Sequence, residues 1–249
     1  MITSNISKVA STLVLTTVFG ASMAYAQSEY LIKGEAGAAM YHTPAITRTA
    51  DNSNTLLPYV YADYGSFYAR INTLGYKAMP LGAGHLELAT RITLEGYATA
   101  QAGIADRASP MPVGVGTFQK TTYGAFFAYA FHDPQSGGSL LDLMYAAKFN
   151  VAGLSIYPQL GVERRNAKYV QHLYGVSAAE SVASGITPYA GQSDIAPNAG
   201  VTVSYPLTPN YSVTFQFRKK WFGTGVTESP LVEGKSQSTS FLALTREFR

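Results

Sequence analysis

Four histidines and a scatter of serines are the side chains here that could carry acid–base, nucleophilic or metal chemistry near neutral pH. His42, His85, His132 and His172 all fall at expected strand ends or loop starts on one rim. His132 is followed by Asp133, and a His–Asp pair at a rim could hold a metal ion or activate water. No metal-ligand spacing accompanies that pair, and histidine is ordinary in polar loops. Ser177, Ser181 and Ser184, near His172, lack a Gly-x-Ser-x-Gly elbow and read as loop serines. Gly114-Val115-Gly116 is too short for a phosphate loop and reads as a turn. The chain has no cysteine, so thiolate metal sites, disulfides and a lipidated N-terminal cysteine are excluded. No catalytic, metal-binding or cofactor-binding residue is assigned, and no enzyme activity is expected.

The charged residues are more informative. Glu87, Arg91, Glu95, Asp142, Lys148, Glu163, Arg165 and Arg218 sit on the polar face of alternating segments, as do Lys33, Glu35, Arg70 and Lys220. The clearest segment is Leu86–Tyr97. Leu86, Leu88, Thr90, Ile92 and Leu94 share one face, and Glu87, Ala89, Arg91, Thr93, Glu95 and Tyr97 share the other. Tyr211–Trp221 alternates in the same way. Period two is the mark of a strand with two unlike faces. If the apolar face meets lipid, an outward basic side chain at mid-bilayer would cost roughly 2–4 kcal/mol, so the charges must face inward. They are expected to form a lumen network that fills a narrow barrel, with Arg91 pairing with Glu87 or Glu95.

Ten strands are expected, roughly at 29–40, 57–63, 67–76, 85–97, 121–132, 139–149, 153–166, 197–206, 210–222 and 237–248. They are long, their polar faces are rich in Ser, Thr, Gly and Ala, and aromatic residues cluster near their ends, as in interfacial girdles. This describes an all-β, antiparallel transmembrane β-barrel. Pro158 on an apolar face suggests a bulge. The connector from Ala98 to Lys120 is long enough to hide another hairpin, which would make twelve strands. With ten strands it would face the periplasm. Asp106, Arg107, Met111, Val113, Phe118 and Lys120 on it would then offer a partner surface.

Composition agrees. Charged residues make up 13%, about half the share in soluble domains, while Tyr numbers 18 and Gly 23. The net charge of +3 gives no electrostatic case for nucleic acid. Lys8, the apolar stretch Val9–Met23 and Ala24-Tyr25-Ala26 read as a signal peptide over 1–26, with the barrel over 27–249. The partners of such a surface are outer-membrane lipid and lipopolysaccharide.

Residues 169–249 carry a family resemblance. Tyr174-Gly175-Val176-Ser177 is followed by Ala178-Ala179-Glu180. Ser204-Tyr205-Pro206-Leu207-Thr208 leads into Tyr211-Ser212-Val213, and Glu228-Ser229-Pro230-Leu231-Val232 lies in the last loop. In this order the elements resemble the MipA/OmpV family of outer-membrane proteins. The sequence departs from that pattern where Arg249 follows Phe248 and where Arg246 replaces a usual apolar residue. The resemblance implies a scaffold at the outer membrane joining a lytic transglycosylase to a bifunctional penicillin-binding protein. A narrow porin, a surface adhesin built on loop 167–196 and a rim hydrolase are the alternatives.

Overall fold

The computed structural model describes residues 32–48 and 50–248, so the expected signal segment 1–26 lies outside the described residues. Among them the chain forms β1 (Lys33–Thr43), β2 (Ser53–Tyr64), β3 (Phe67–Arg70), β4 (Thr73–Leu81), β5 (Gly84–Arg91), β6 (Val113–Thr121) and β7 (Gly124–Asp133). β8 (Gly138–Ala147), β9 (Phe149–Val151), β10 (Leu154–Arg165), β11 (Asp194–Pro206), β12 (Tyr211–Trp221) and β13 (Ser236–Phe248) complete the wall. Three helices, α1 (Ala167–Tyr174), α2 (Ala178–Ser184) and α3 (Thr224–Thr227), lie in the last two long loops.

All pairings are antiparallel. β1 pairs with both β2 and β13, and β10 pairs with β11, so the sheet closes on itself. β8 and β9 follow one line along β10, which reduces thirteen segments to twelve positions. Closure satisfies most of the backbone internally, which hydrocarbon demands, and leaves one edge of β2 unpaired above the β3–β4 turn. No helix among the described residues is long and apolar enough to cross a membrane.

The side chains sort by face as the alternation requires. In β13, Phe241, Ala243 and Thr245 are buried, whereas Leu242 and Leu244 are each 54% exposed. Leu88, Leu141, Leu143, Leu160, Phe215 and Phe217 extend the exposed apolar belt. Tyr64, Phe67, Tyr123, Phe149, Tyr205, Tyr211 and Phe248 ring the rim where β1 starts and β13 ends, and Trp221 sits at the other.

Two strands depart from the expected ten. The expected strand 67–76 is a tight hairpin, β3 and β4, turning at Ile71 and Asn72 halfway up the wall. Ile71 adopts φ 59°, an uncommon conformation for a β-branched residue. A register shift between Lys77 and Met79 breaks the period of β4. The second is β6, a single strand inside the anomalous connector rather than a hidden hairpin. Its inward positions include Gly114 and Gly116, and an ideal Cβ on Gly116 would lie 2.0 Å from the Tyr129 ring. Glycine is required there, and it hides the alternation. β5 also stops at Arg91, six residues short of the expected end. The pattern continues to Tyr97, but the half-height hairpin offers no partner beyond Ile92, whose N–H donates to the Asn72 carbonyl at 2.8 Å.

Pro158 makes no bulge. Gln159 faces Ala146 and Ile156 faces Phe149, which is one unbroken register. The missing N–H of Pro158 only interrupts the ladder opposite the gap between β8 and β9.

Candidate functional site

The inward charges meet in a network across the upper lumen. Arg70 on β3 grips Glu87 on β5 with both guanidinium arms, Nη1 to Oε2 at 2.8 Å and Nη2 to Oε1 at 2.9 Å. The Tyr129 hydroxyl on β7 donates to Glu87 Oε2 at 2.7 Å. Arg70 also lies 4.0 Å from the Tyr68 ring centroid and 4.4 Å from that of Phe118. Glu87 is fully buried, so its charge depends on these partners.

The next contacts span the lumen, because their strands are not neighbours. Arg91 on β5 reaches Asp142 on β8 at 2.7 Å, across the width of β6 and β7, with its guanidinium 4.7 Å from the Phe131 ring centroid. Glu95, just past β5, is bound by Arg165 at the end of β10 and by the Tyr169 hydroxyl on α1 at 2.9 Å. Arg165 also reaches Glu163 at 2.9 Å, and Lys220 on β12 reaches Glu163 at 2.7 Å and Glu95 at 3.6 Å. Arg218 donates to the Gln159 side-chain oxygen at 2.8 Å. Between this wall and the aromatic group Tyr41, Tyr59 and Phe241 lies a cavity of about 500 Å³.

The expected partners of Arg91 were Glu87 or Glu95, on its own strand. Asp142 takes that place, because Glu87 is held by Arg70 and Glu95 by Arg165. Lys148 lies apart from the network. It is exposed at the break between β8 and β9, and its backbone N–H bonds the Tyr123 carbonyl.

Above the network the loops form a cap with its own apolar core. Tyr169, Val170 and Leu173 of α1 are fully buried, packed with Phe131, Leu140, Phe222 and Val226. Asn166 caps α1 by accepting from the Tyr169 N–H at 3.0 Å, and Ser177 with Glu180 forms a reciprocal capping box on α2. The Ser-x-x-Glu spacing of that box was visible in the sequence, and it is the signal that would have placed α2.

The connector 92–112 belongs to this cap. The start of β1 and the end of β13 lie at the opposite rim, so the expectation that the connector shares a rim with them is corrected by the extra hairpin, which inverts its rim. Arg107 bonds the Gly175 carbonyl at 2.7 Å and Glu180 at 2.9 Å. Asp106 accepts from the Thr99 N–H at 2.9 Å, and Met111 is exposed. Val113, Phe118 and Lys120 lie on β6, where Val113 faces outward and Phe118 packs on Phe127.

The rim histidines do not converge. His85 lies at the rim where β1 starts and β13 ends, away from the other three. His132 is exposed while Asp133 is buried, since neighbours on a strand point opposite ways. Asp133 accepts from the Met111 and Ser136 N–H groups and so shapes the turn after β7. His42 bonds Asn54, and His172 bonds the Ala108 carbonyl. No cluster of three metal-ligating side chains occurs among the described residues.

The pattern of a family described as MltA-interacting protein MipA matches residues 36–248. The chain belongs to this family. Relatives agree. A putative outer membrane protein YiaT of Escherichia coli K12 is 27% identical over 217 residues, covering 83% of this chain and 86% of that protein. The MltA-interacting protein of the same strain is 28% identical over 130 residues, covering 51% of this chain and 52% of that one. The outer membrane protein Omp26La of Vibrio anguillarum is 25% identical over 116 residues, covering 46% and 45%. Among solved structures, the channel DcaP of Acinetobacter baumannii aligns at 8% identity and TM-score 0.38, covering 87% of this chain and 96% of that one. The family member described here is an outer-membrane β-barrel.

Burial decides what each charge pair contributes. Arg70→Ala strands the Glu87 carboxylate in the wall and should destabilise the barrel by about 3–5 kcal/mol. Arg48→Ala removes an exposed pair with Glu233, 61% and 66% exposed, and should cost no more than ~1 kcal/mol. Unfolding midpoints in urea, measured in lipid, separate the two. In the cap, burial opposes the charge on Glu180. Hydrogen bonds from Ser177 and Ala105, with Arg107 beside it, outweigh that and hold its pKa below the ordinary 4.5. Its contribution is therefore complete above pH 4.5 and is lost as pH falls through the lower folded value. Amide exchange in α2 should accelerate in that acid range, and Glu180→Gln should remove the dependence.

Proposed function

We propose that this barrel is a non-enzymatic scaffold that holds a lytic transglycosylase, and with it a bifunctional penicillin-binding protein, against the inner face of the outer membrane. The observation that carries the reading is the crossed and capped lumen. Its inward carboxylates in the upper lumen are each held by a cation, and its histidines are dispersed. A wall of this kind has its outer face and its rims left for work. The similarity to a relative named for its interaction with MltA supports a lytic transglycosylase as the partner.

The docking surface is the rim where β1 starts and β13 ends. The start of β1, the end of β13 and the short turns lie there, as in barrels whose short turns face the periplasm. Tyr123, 75% exposed in the turn between β6 and β7, and Leu207, 53% exposed in the turn after β11, are apolar anchors on that rim. Asp106, Arg107 and Met111 of the connector sit at the far rim and would take no part.

Co-elution of the detergent-purified barrel with a purified lytic transglycosylase tests the reading. A stable complex is expected, weakened several-fold by Tyr123→Ser with Leu207→Ser and unchanged by Met111→Ser. Absence of a complex at micromolar concentrations overturns the proposal, and loss of binding in Met111→Ser moves the surface to the other rim.

A further inference from the structure

The lumen cavity breaks through the wall. The hairpin of β3 and β4 ends at Ile71 and Asn72, so above it residues 53–59 of β2 pair only with β1. Val60 turns its carbonyl toward the hairpin, accepting from the Ile71 N–H at 2.7 Å. Pro58 has the same orientation by the period of two, and its nitrogen therefore faces the unpaired side. Proline is confined to such edges in sheets. On the far side of the opening, Ile92 and Leu94 face outward, 46% and 45% exposed, yet they line the same cavity as the inward Arg91 and Glu95. A residue on the lipid side can line an internal cavity only where that cavity reaches the lipid side.

Inside stands Arg218, which also lines the cavity. Among the described residues it has no carboxylate within ion-pair distance. Nη2 meets the Gln159 oxygen at 2.8 Å and the Met144 sulfur at 3.3 Å, and Nε is buried without a partner. The other lumen cations, Arg70, Arg91, Arg165 and Lys220, each hold a carboxylate. Asp142 and Glu163 are near but are engaged by Arg91 and by Arg165 and Lys220. Buried charges are ordinarily paired, so this guanidinium keeps a place for a further anion.

We propose that the cavity is a binding site for a single-chain amphiphile with an anionic head group, which enters sideways from the bilayer. The head group, a phosphate or a carboxylate, sits at Arg218. The acyl chain leaves through the opening over Ile92 and Leu94 into the lipid. The volume of about 500 Å³ suits a head group and the first methylenes, within the range of small-ligand sites. The cap above closes the axial route from that rim, which leaves the side opening as the path for a molecule already in the membrane.

The full barrel in maltoside micelles is titrated calorimetrically with dodecyl phosphate, dodecanoate, dodecyltrimethylammonium and inorganic phosphate. Saturable binding of one anionic amphiphile per barrel is expected, and the tighter of the first two identifies the head group. The ammonium compound should not bind, and inorganic phosphate should bind far more weakly. Arg218→Gln should weaken the binding about tenfold or more, and Arg218→Lys should retain most of it. Ile92→Trp, at an exposed edge of the opening, should slow association. Equal binding of the cationic amphiphile, or an affinity unchanged in Arg218→Gln, overturns the proposal. An Ile92→Trp barrel that loads at the wild-type rate overturns the side entrance.

Discussion

Charge pairing across the lumen is the constraint on which the rest of this barrel depends. Every inward carboxylate of the upper lumen is held by a cation from a different strand, and several of those strands are not neighbours. Arg91 to Asp142 bridges β5 and β8, and Glu95 to Arg165 joins the end of β5 to the end of β10. Such contacts cannot form along the wall. They draw opposite sides together and fill the upper bore with side chains, as small barrels do. The aromatic rings of Tyr68, Phe118, Tyr129 and Phe131 lie against the guanidinium groups and complete the packing.

The cap follows from the same network. Tyr169 reaches from α1 into it through Glu95, and Arg165 leads directly into α1 by way of Asn166. The loops then fold over a fixed base. Their own core, with Leu231, Val176 and Ile104 buried together, ties the last loop to the connector 92–112. The polar staples of Arg107 and Glu180 hold the outer layer. Lumen and cap therefore form one packed body from β5 to the top of the barrel.

Much of this could be read in the sequence, and what could not has a physical reason. The face of each strand was legible at Leu86–Arg91 and Tyr211–Trp221, because lipid and lumen demand opposite side chains at alternate positions. Most of the inward charges were legible for the same cause. β6 was hidden because its inner face needs glycine under the Tyr129 ring, and β4 because a register shift and a mid-wall turn break its period. Lys148 kept the right parity but fell at a break in the ladder. The pairing of charges was not legible at all. Arg91 has two carboxylates within four residues in sequence, yet Asp142, 51 positions away, is its partner. Proximity across a lumen is a property of closure, and closure is not a local pattern.

Single-channel recording in a planar bilayer tests the central claim most directly. If the charge bridges and the cap close the bore, the inserted wild-type barrel gives no large, regular conductance steps. A variant with Arg91→Ala, Asp142→Ala and residues 167–191 replaced by a short linker gives them. Regular steps from the wild-type barrel, of the same size as those of that variant, would contradict the account.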